Sequence, residues 1–261
     1  MKAGAAVPAK AAAKTRTILI TGASSGIGAA LALEFASRGY ALALAARRTE
    51  RIEALIPGLR AAGAPQVECV SLDVADTDAI APAVQLAAQE LGRLDIVIAN
   101  AGVGLATPVG RGRMAEISQT IRVNLLGAIA TIEAALPIMR SQGGGQIVGI
   151  TSVAAARGMA GFSAYSASKA GLHRYLQSLR IETYGSNIVV TEIAPGYIDT
   201  DLNRGNPSRP FVIPLEKGAA IIAGMIERRV GLRWAPVLPW TLLVPILKLM
   251  PAALLAPRRR K

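Results

Sequence analysis

The sequence predicts an α/β domain of the doubly wound kind, a parallel sheet with helices on both faces. Short β-branched and aliphatic runs at Thr17–Ile20, Ala41–Ala46, Val67–Leu72, Asp95–Ala99, Gln146–Thr151 and Asn187–Ile193 alternate with stretches of helical periodicity. Such alternation marks successive β-α-β units. A glycine-rich turn joins the first run to the first helical stretch. The 261 residues and 27.0 kDa suit one unit with ample core, and no internal repeat is seen.

Thr17–Ile20 reads as a buried parallel strand. The turn TGASSGIG, Thr21–Gly28, leads into AALALEFASRG, whose apolar spacing is helical and ends at Gly39. A helix N-terminus presents free N–H groups and a positive dipole end to phosphate. Gly22 permits the tight turn, and Gly26 and Gly28 let backbone, ligand and helix approach closely. The spacing is Gly-x3-Gly-x-Gly rather than the common Gly-x-Gly-x2-Gly. Strand two, Ala41–Ala46, runs into Arg47 and Arg48, and strand three into Asp73 and Val74. Strand four is followed by Asn100, Ala101 and Gly102, strand five by Ser152, and strand six by Pro195 and Gly196. A seventh strand near Leu232–Pro236 has a weaker signal.

Tyr165 and Lys169 are four residues apart, so on a helix they share one face. An ammonium beside a phenol favours the phenolate and is expected to draw its pKa down from about 10. A phenol so tuned serves as a general acid or base. His173, two turns on, is expected to pack or face solvent. Cys69, the single cysteine, reads as a small buried hydrophobe and excludes an internal disulfide framework, which fits a reducing compartment. No ligand spacing suggests a metal.

From about Thr17 to Glu227 these motifs, in this order, resemble the short-chain dehydrogenase/reductase family of single-domain, Rossmann-like enzymes. Thr21, Gly22, Ser24, Ser25, Gly26, Ile27 and Gly28 match its cofactor loop. Asp73-Val74 matches the pair near adenine, and Asn100-Ala101-Gly102 the NAG motif closing the fourth strand. Pro195-Gly196 matches the turn beside the nicotinamide, and Thr200 a threonine contacting its carboxamide. Asn124, Ser152, Tyr165 and Lys169 match the catalytic positions, with 12 residues between Ser152 and Tyr165 as in the family. The resemblance implies that Tyr165 exchanges a proton with the substrate oxygen, and that Ser152 hydrogen-bonds this oxygen. Lys169 would hold the ribose hydroxyls, while Asn124 would bend its helix and hold a water in a relay to Lys169. Dimers or tetramers through the helices carrying Asn124 and Tyr165 are implied as well.

Ala46 stands where an NAD enzyme commonly has a carboxylate for the ribose 2′-hydroxyl, and Arg47 follows where an arginine accommodates a 2′-phosphate. NADP is therefore expected over NAD, chiefly through Arg47, which can also stack on adenine. The expected activity is interconversion of a ketone or aldehyde with an alcohol by hydride transfer, as a carbonyl reductase acting on a hydrophobic substrate. A non-catalytic NADP-binding sensor or scaffold would be expected to break the Asn-Ser-Tyr-Lys set, which is whole here. An isomerase or dehydratase retaining the dinucleotide needs further acid-base groups that the sequence does not offer. The segment Tyr197–Leu215 is expected to cover the substrate.

Net charge is +12, yet residues 17–227 hold 17 basic and 17 acidic side chains. The excess sits at the ends: Lys2, Lys10, Lys14 and Arg16, then Arg228, Arg229, Arg233, Lys248, Arg258, Arg259, Arg260 and Lys261. Residues 1–16 read as a solvated basic arm and lack the continuous apolar core of a secretory signal. Trp234–Pro257 carries one charge, Lys248, in 24 residues, broken by prolines at 236, 239, 245 and 251. Length permits a spanning helix, but interior prolines and the lysine weigh against it. Two readings stay open for 234–261: a shallow anchor at an anionic membrane face with Trp234 and Trp240 at the interface, or a helix packed over the substrate cleft or another subunit. Aromatic residues do not interleave with the basic clusters, so nucleic acid is not expected. The expected location is the cytoplasm, in part at the inner face of a membrane.

Overall fold

Seven strands pair in one all-parallel sheet of order β3-β2-β1-β4-β5-β6-β7 in the computed structural model, which describes residues 15–205 and 208–256. They are β1 Thr17–Thr21, β2 Ala41–Ala46, β3 Val67–Ser71, β4 Ile96–Ala99, β5 Gly145–Ile150, β6 Ile188–Pro195 and β7 Leu232–Ala235. β1, β2 and β4 are buried at every residue, which is why they read as unbroken apolar runs. β7 continues the sheet through Trp234 and Ala235, across the boundary expected after Arg233.

Two apolar layers cover the sheet. One joins α1 (Gly26–Ser37), α2 (Thr49–Ala62) and α8 (Leu215–Glu227) through Leu31, Phe35, Ile52, Leu59, Ile222 and Ile226. The other joins α3 (Thr77–Leu91), α5 (Gly127–Ser141) and α6 (Ser163–Glu182) through Ile80, Val84, Ile132, Leu136, Leu172 and Leu176. α4 (Met114–Ile121) runs into α5 through one wider π-type turn, Arg122–Leu126. The continuous helix Met114–Ser141 is long and apolar enough to cross a membrane by composition alone. Val123, Ala128, Ile132, Ala135 and Met139 are nonetheless buried in the protein, so it is a core helix.

Beyond the sheet come α9 (Trp240–Leu249) and α10 (Ala252–Leu255). α9 has 10 residues, about 15 Å of helix against the ~30 Å of a bilayer core. Neither tail helix among the described residues can span. Trp240 and Val244, one turn apart, are buried, whereas Leu242, Ile246 and Leu249 are 65%, 55% and 86% exposed. Burial of Trp240 departs from its expected interfacial role: one face of α9 belongs to the protein and only the other is free. The basic arm expected at 1–16 lies, but for its last two residues, outside the described residues, as do Arg258, Arg259, Arg260 and Lys261.

Candidate active site

Between β1 and β4 the strand order reverses, and in open α/β sheets ligands bind at that crevice beyond the carboxyl ends of the strands. Thr21 and Asn100 knit its floor. Thr21 Oγ1 accepts the Asn100 N–H at 3.1 Å and the Ala101 N–H at 3.2 Å, while Asn100 Nδ2 donates to the Thr21 carbonyl at 2.9 Å. Gly22 has φ +68°, and a Cβ there would lie 2.7 Å from Ala101 Cα. At Gly28 a Cβ would meet the Gly22 carbonyl oxygen at 2.4 Å. Both glycines are thus imposed by backbone contact, and the loop brings the α1 N-terminus to face the crevice.

A cleft of about 240 Å³ runs along this edge. Gly22, Ser24, Ser25, Gly26, Ile27, Ala46, Arg47, Arg48, Asp73, Val74, Asn100, Ala101, Gly102, Ser152, Tyr165, Lys169, Pro195, Gly196 and Thr200 line it. Every residue expected at the cofactor is therefore gathered there, except Thr21, which serves as floor, and Gly28, which is buried behind the loop against the Gly22 carbonyl. Arg48 Nη2 reaches the hydroxyls of Ser24 and Ser25 at 3.4 and 3.2 Å, while Arg47 makes a loose, exposed ion pair with Asp73 at 3.7 Å. Arg48 rather than Arg47 thus leans on the phosphate loop. Such a cradle, with glycine backbone, a helix N-terminus, hydroxyls and two guanidiniums, fits the pyrophosphate of a dinucleotide.

The catalytic end is built by α6 and the carboxyl end of β5. Tyr165 and Lys169 lie on one face of α6, as their spacing requires. Lys169 is buried, and its Nζ donates to the Ile150 carbonyl at 2.8 Å. Ser152, just beyond β5, accepts the Ala154 N–H at 3.1 Å. Asn124 sits in the π-type turn, so its helix is bent there, as expected; such turns often occur at functional positions. Its amide pairs with the Val103 backbone, accepting at 2.8 Å and donating at 2.9 Å, and approaches Ser168 Oγ at 3.3 Å. The side chain is thereby committed to holding the loop after β4.

The expected depression of the Tyr165 pKa is not what this geometry produces. Burial pushes the phenol up, the Ser152 hydroxyl pulls it down, and Tyr197 adds a further upward push. The reason is the aim of Lys169: its Nζ is 5.9 Å from the Tyr165 ring centroid and bonded to a carbonyl instead. Burial also pushes the Lys169 ammonium down to about 8.

A second cavity, about 330 Å³, adjoins the first. Ala106, Val153, Ala154, Met159, Phe162, Tyr197 and Leu202 make it largely apolar, and Ser152, Tyr165 and Gly196 line both cavities. The expected substrate cover is present in part: α7 (Asp201–Arg204) lies over both, with Asn203 donating to the Ile198 carbonyl at 2.7 Å. Arg209 pairs with Asp199 at 2.5 Å and Arg204 with Asp201 at 2.7 Å, so these loop cations are matched within the loop.

Of the readings left open for the tail, packing at the substrate side is the one that the contacts of Trp240 and Arg157 support, and a second arrangement, at His173, escaped sequence reasoning. The indole of Trp240 fills the space beside Gly196, where a Cβ would stand 2.0 Å from its Nε1; Tyr197 and Phe211 ring it at 6.3 and 6.0 Å. Arg157 donates to the carbonyls of Lys248 and Met250, both at 2.8 Å, tying the end of α9 beside the apolar cavity. The tail therefore buttresses the substrate side. Secondly, His173 is not a plain packing residue: Nδ1 meets the buried carboxylate of Glu192 at 2.8 Å.

Residues 16–210 match the short chain dehydrogenase family. An uncharacterised oxidoreductase of Myxococcus xanthus (strain DK1622) is 39% identical over 232 residues, covering 88% of this chain and 90% of that protein. The 11-beta-hydroxysteroid dehydrogenase 1A of Arabidopsis thaliana is 39% identical over 193 residues, 73% of this chain and 54% of its own length. Among solved structures, an alcohol dehydrogenase from the archaeon Thermococcus sibiricus, complexed with 5-hydroxy-NADP, superimposes with a TM-score of 0.76 at 28% identity, covering 85% of this chain and 95% of that one. The chain belongs to the short-chain dehydrogenase family and is an oxidoreductase of the kind that uses a nicotinamide cofactor.

Proposed function

We propose that the protein is an NADPH-dependent reductase of apolar ketones or aldehydes, with oxidation of the alcohol as its reverse reaction. One observation carries this: Ser152 and Tyr165 line both the dinucleotide cleft and the apolar cavity, so the proton donor stands where the two meet. Apolar walls favour an apolar substrate. Arg47, Arg48 and the absent carboxylate at Ala46 favour the 2′-phosphate. The Thermococcus neighbour, by its title, binds an NADP derivative, and the Arabidopsis relative, by its name, acts on a hydroxysteroid. No observation favours a non-catalytic sensor or scaffold. A panel of long-chain and steroid-like ketones, sugars and small aldehydes, followed by loss of NADPH absorbance, tests the reading. Turnover confined to sugars would contradict it.

When bound, the cofactor supplies a hydride equivalent to the carbonyl carbon. Tyr165 gives its proton to the carbonyl oxygen as charge builds there, and its raised pKa keeps it protonated as an acid. Ser152 hydrogen-bonds the same oxygen and disperses that charge. Lys169 would hold the ribose hydroxyls and present positive charge near the phenol. That charge is full below the Lys169 pKa and is lost as pH rises through about 8. The ratio kcat/KM for NADPH reports the free enzyme, so it should fall as pH rises through that value. Lys169→Arg, whose guanidinium stays charged, should lose this limb, and a limb that persists unchanged there would assign it elsewhere.

The tail extends the proposal to a peripheral position at the inner, cytoplasmic face of a membrane. Leu242, Ile246, Leu249 and Leu254 are exposed, and no carboxylate occurs between residues 228 and 261. Each basic side chain near an anionic surface is worth about 1 kcal/mol, screened within a Debye length. The full chain should float with anionic vesicles, release at high salt and ignore zwitterionic ones. Leu242→Glu/Ile246→Glu should stay behind, since both side chains face outward. Equal, negligible flotation throughout would instead leave the tail to subunit contact. A dimer or tetramer through α5 and α6 is proposed with it, and light scattering on the same samples reads the mass.

A further inference from the structure

Three successive turns of α6 touch the carboxyl end of β5. Tyr165 faces Ser152, and Lys169 Nζ bonds the Ile150 carbonyl. One turn beyond Lys169, His173 meets β5 through an intermediary. Glu192, in the middle of β6, accepts from His173 Nδ1 at 2.8 Å and from Thr151 Oγ1 at 2.9 Å. Thr151 lies directly between Ile150 and Ser152. The first two contacts belong to the reaction proposed above; no role has been given to the third.

The Glu192 side chain is 1% exposed. A carboxylate so deep loses its hydration, and an apolar side chain of like size would pack the same strand without that cost. Its three recorded bonds, two to His173 Nδ1 and one to Thr151, fall on the two elements that carry the catalytic side chains. A carboxylate only accepts, so the His173 Nδ1 must carry the proton, and the ring is held in one orientation. Pull on any one of β5, β6 or α6 is thereby felt by the other two.

We infer that Glu192, with Thr151 and His173, is a positioning clamp that sets the distance of Ser152 from Tyr165 and Lys169. Glu192 and His173 line neither cavity, whereas Thr151 reaches the wall of the cleft beside Ser152. The clamp acts through the register of β5 against α6. Small errors in that register are costly, because an ångström of misplacement can lose about 100-fold in rate.

The inference rests on the reductase reading, and the test separates the two. Glu192→Leu removes both acceptors, Thr151→Val removes the hydroxyl, with its contacts to Glu192 and to the Ile193 carbonyl, at nearly constant shape, and Glu192→Gln keeps a carbonyl with two lone pairs for the same donors. Expected is a loss of about 10-fold or more in kcat for Glu192→Leu and Thr151→Val, with the NADPH dissociation constant unchanged in Glu192→Leu, whose side chain lines neither cavity, and Glu192→Gln restoring turnover. Hydrogen exchange at the Ala154 amide, which is bonded to Ser152 Oγ, should quicken in the same two variants. If Glu192→Leu does not fold, Thr151→Val decides. Unmodified kcat and unmodified exchange in Thr151→Val overturn the clamp. So does loss of NADPH affinity in step with kcat in Glu192→Leu, which would mark general loosening. Should the unmodified protein oxidise NADPH with no carbonyl at all, the reductase reading fails, while the exchange measurement still judges the clamp.

Discussion

Replacing Tyr165 with phenylalanine is expected to lower turnover by about 10²- to 10⁴-fold, the range general acid-base catalysis supplies, while NADPH binding persists. The substitution removes one oxygen and leaves the ring, so the junction of the two cavities keeps its shape. Lys169→Ala should damage turnover and cofactor affinity together, because that side chain is buried against both β5 and the cleft. The split between the two variants is the informative part: a lost proton donor affects kcat alone, whereas a lost ammonium affects both. Near-normal turnover of the Phe variant would remove Tyr165 from the chemistry. The check is single-turnover kinetics beside cofactor titration by fluorescence.

The second large effect concerns the cofactor. A hydrogen bond to a charged group contributes roughly 1.5–3 kcal/mol, so Arg47→Ala should weaken NADPH about 10- to 100-fold and leave NADH nearly unchanged. Arg48→Ala is expected to add to this, since Arg48 already lies against the Ser24 and Ser25 hydroxyls at the phosphate loop. Isothermal titration with both cofactors on the three proteins reads it. Equal affinity of the unmodified enzyme for NADPH and NADH would refute the preference.

The sheet was legible because its central strands β1, β2 and β4 are buried on both faces and so appear as unbroken apolar runs, as in ALALAA at Ala41–Ala46. The glycine loop was legible because backbone contact at Gly22 and Gly28 excludes any other residue. The Tyr165–Lys169 pair was legible from helical spacing alone. What sequence could not convey was aim. Lys169 was expected to face the phenol oxygen, but burial beside β5 directs it to the Ile150 carbonyl, and desolvation then raises the Tyr165 pKa. Glu192 was read as part of the apolar strand NIVVTEIA, because nothing local shows that His173 and Thr151 come to it from other elements. The tail stayed open between two readings for a different reason. With apolar residues on all sides it has no evident polar face, so burial of Trp240 and Val244 and exposure of Leu242 and Ile246 are set by what α9 packs against. A side chain at Gly196 would collide with Trp240, so the glycine of that turn has a partner 44 residues away in the chain. No turn motif announces such a contact.

The most direct measurement is isotopic transfer: NADPH deuterated at the transferable position of its nicotinamide, an apolar ketone from the panel, and mass analysis of the product. Deuterium on the carbinol carbon, in one-to-one proportion with cofactor consumed and nearly abolished in Tyr165→Phe, is the expected result. Product without the label, or cofactor recovered unchanged while substrate is converted, would contradict hydride transfer at this site.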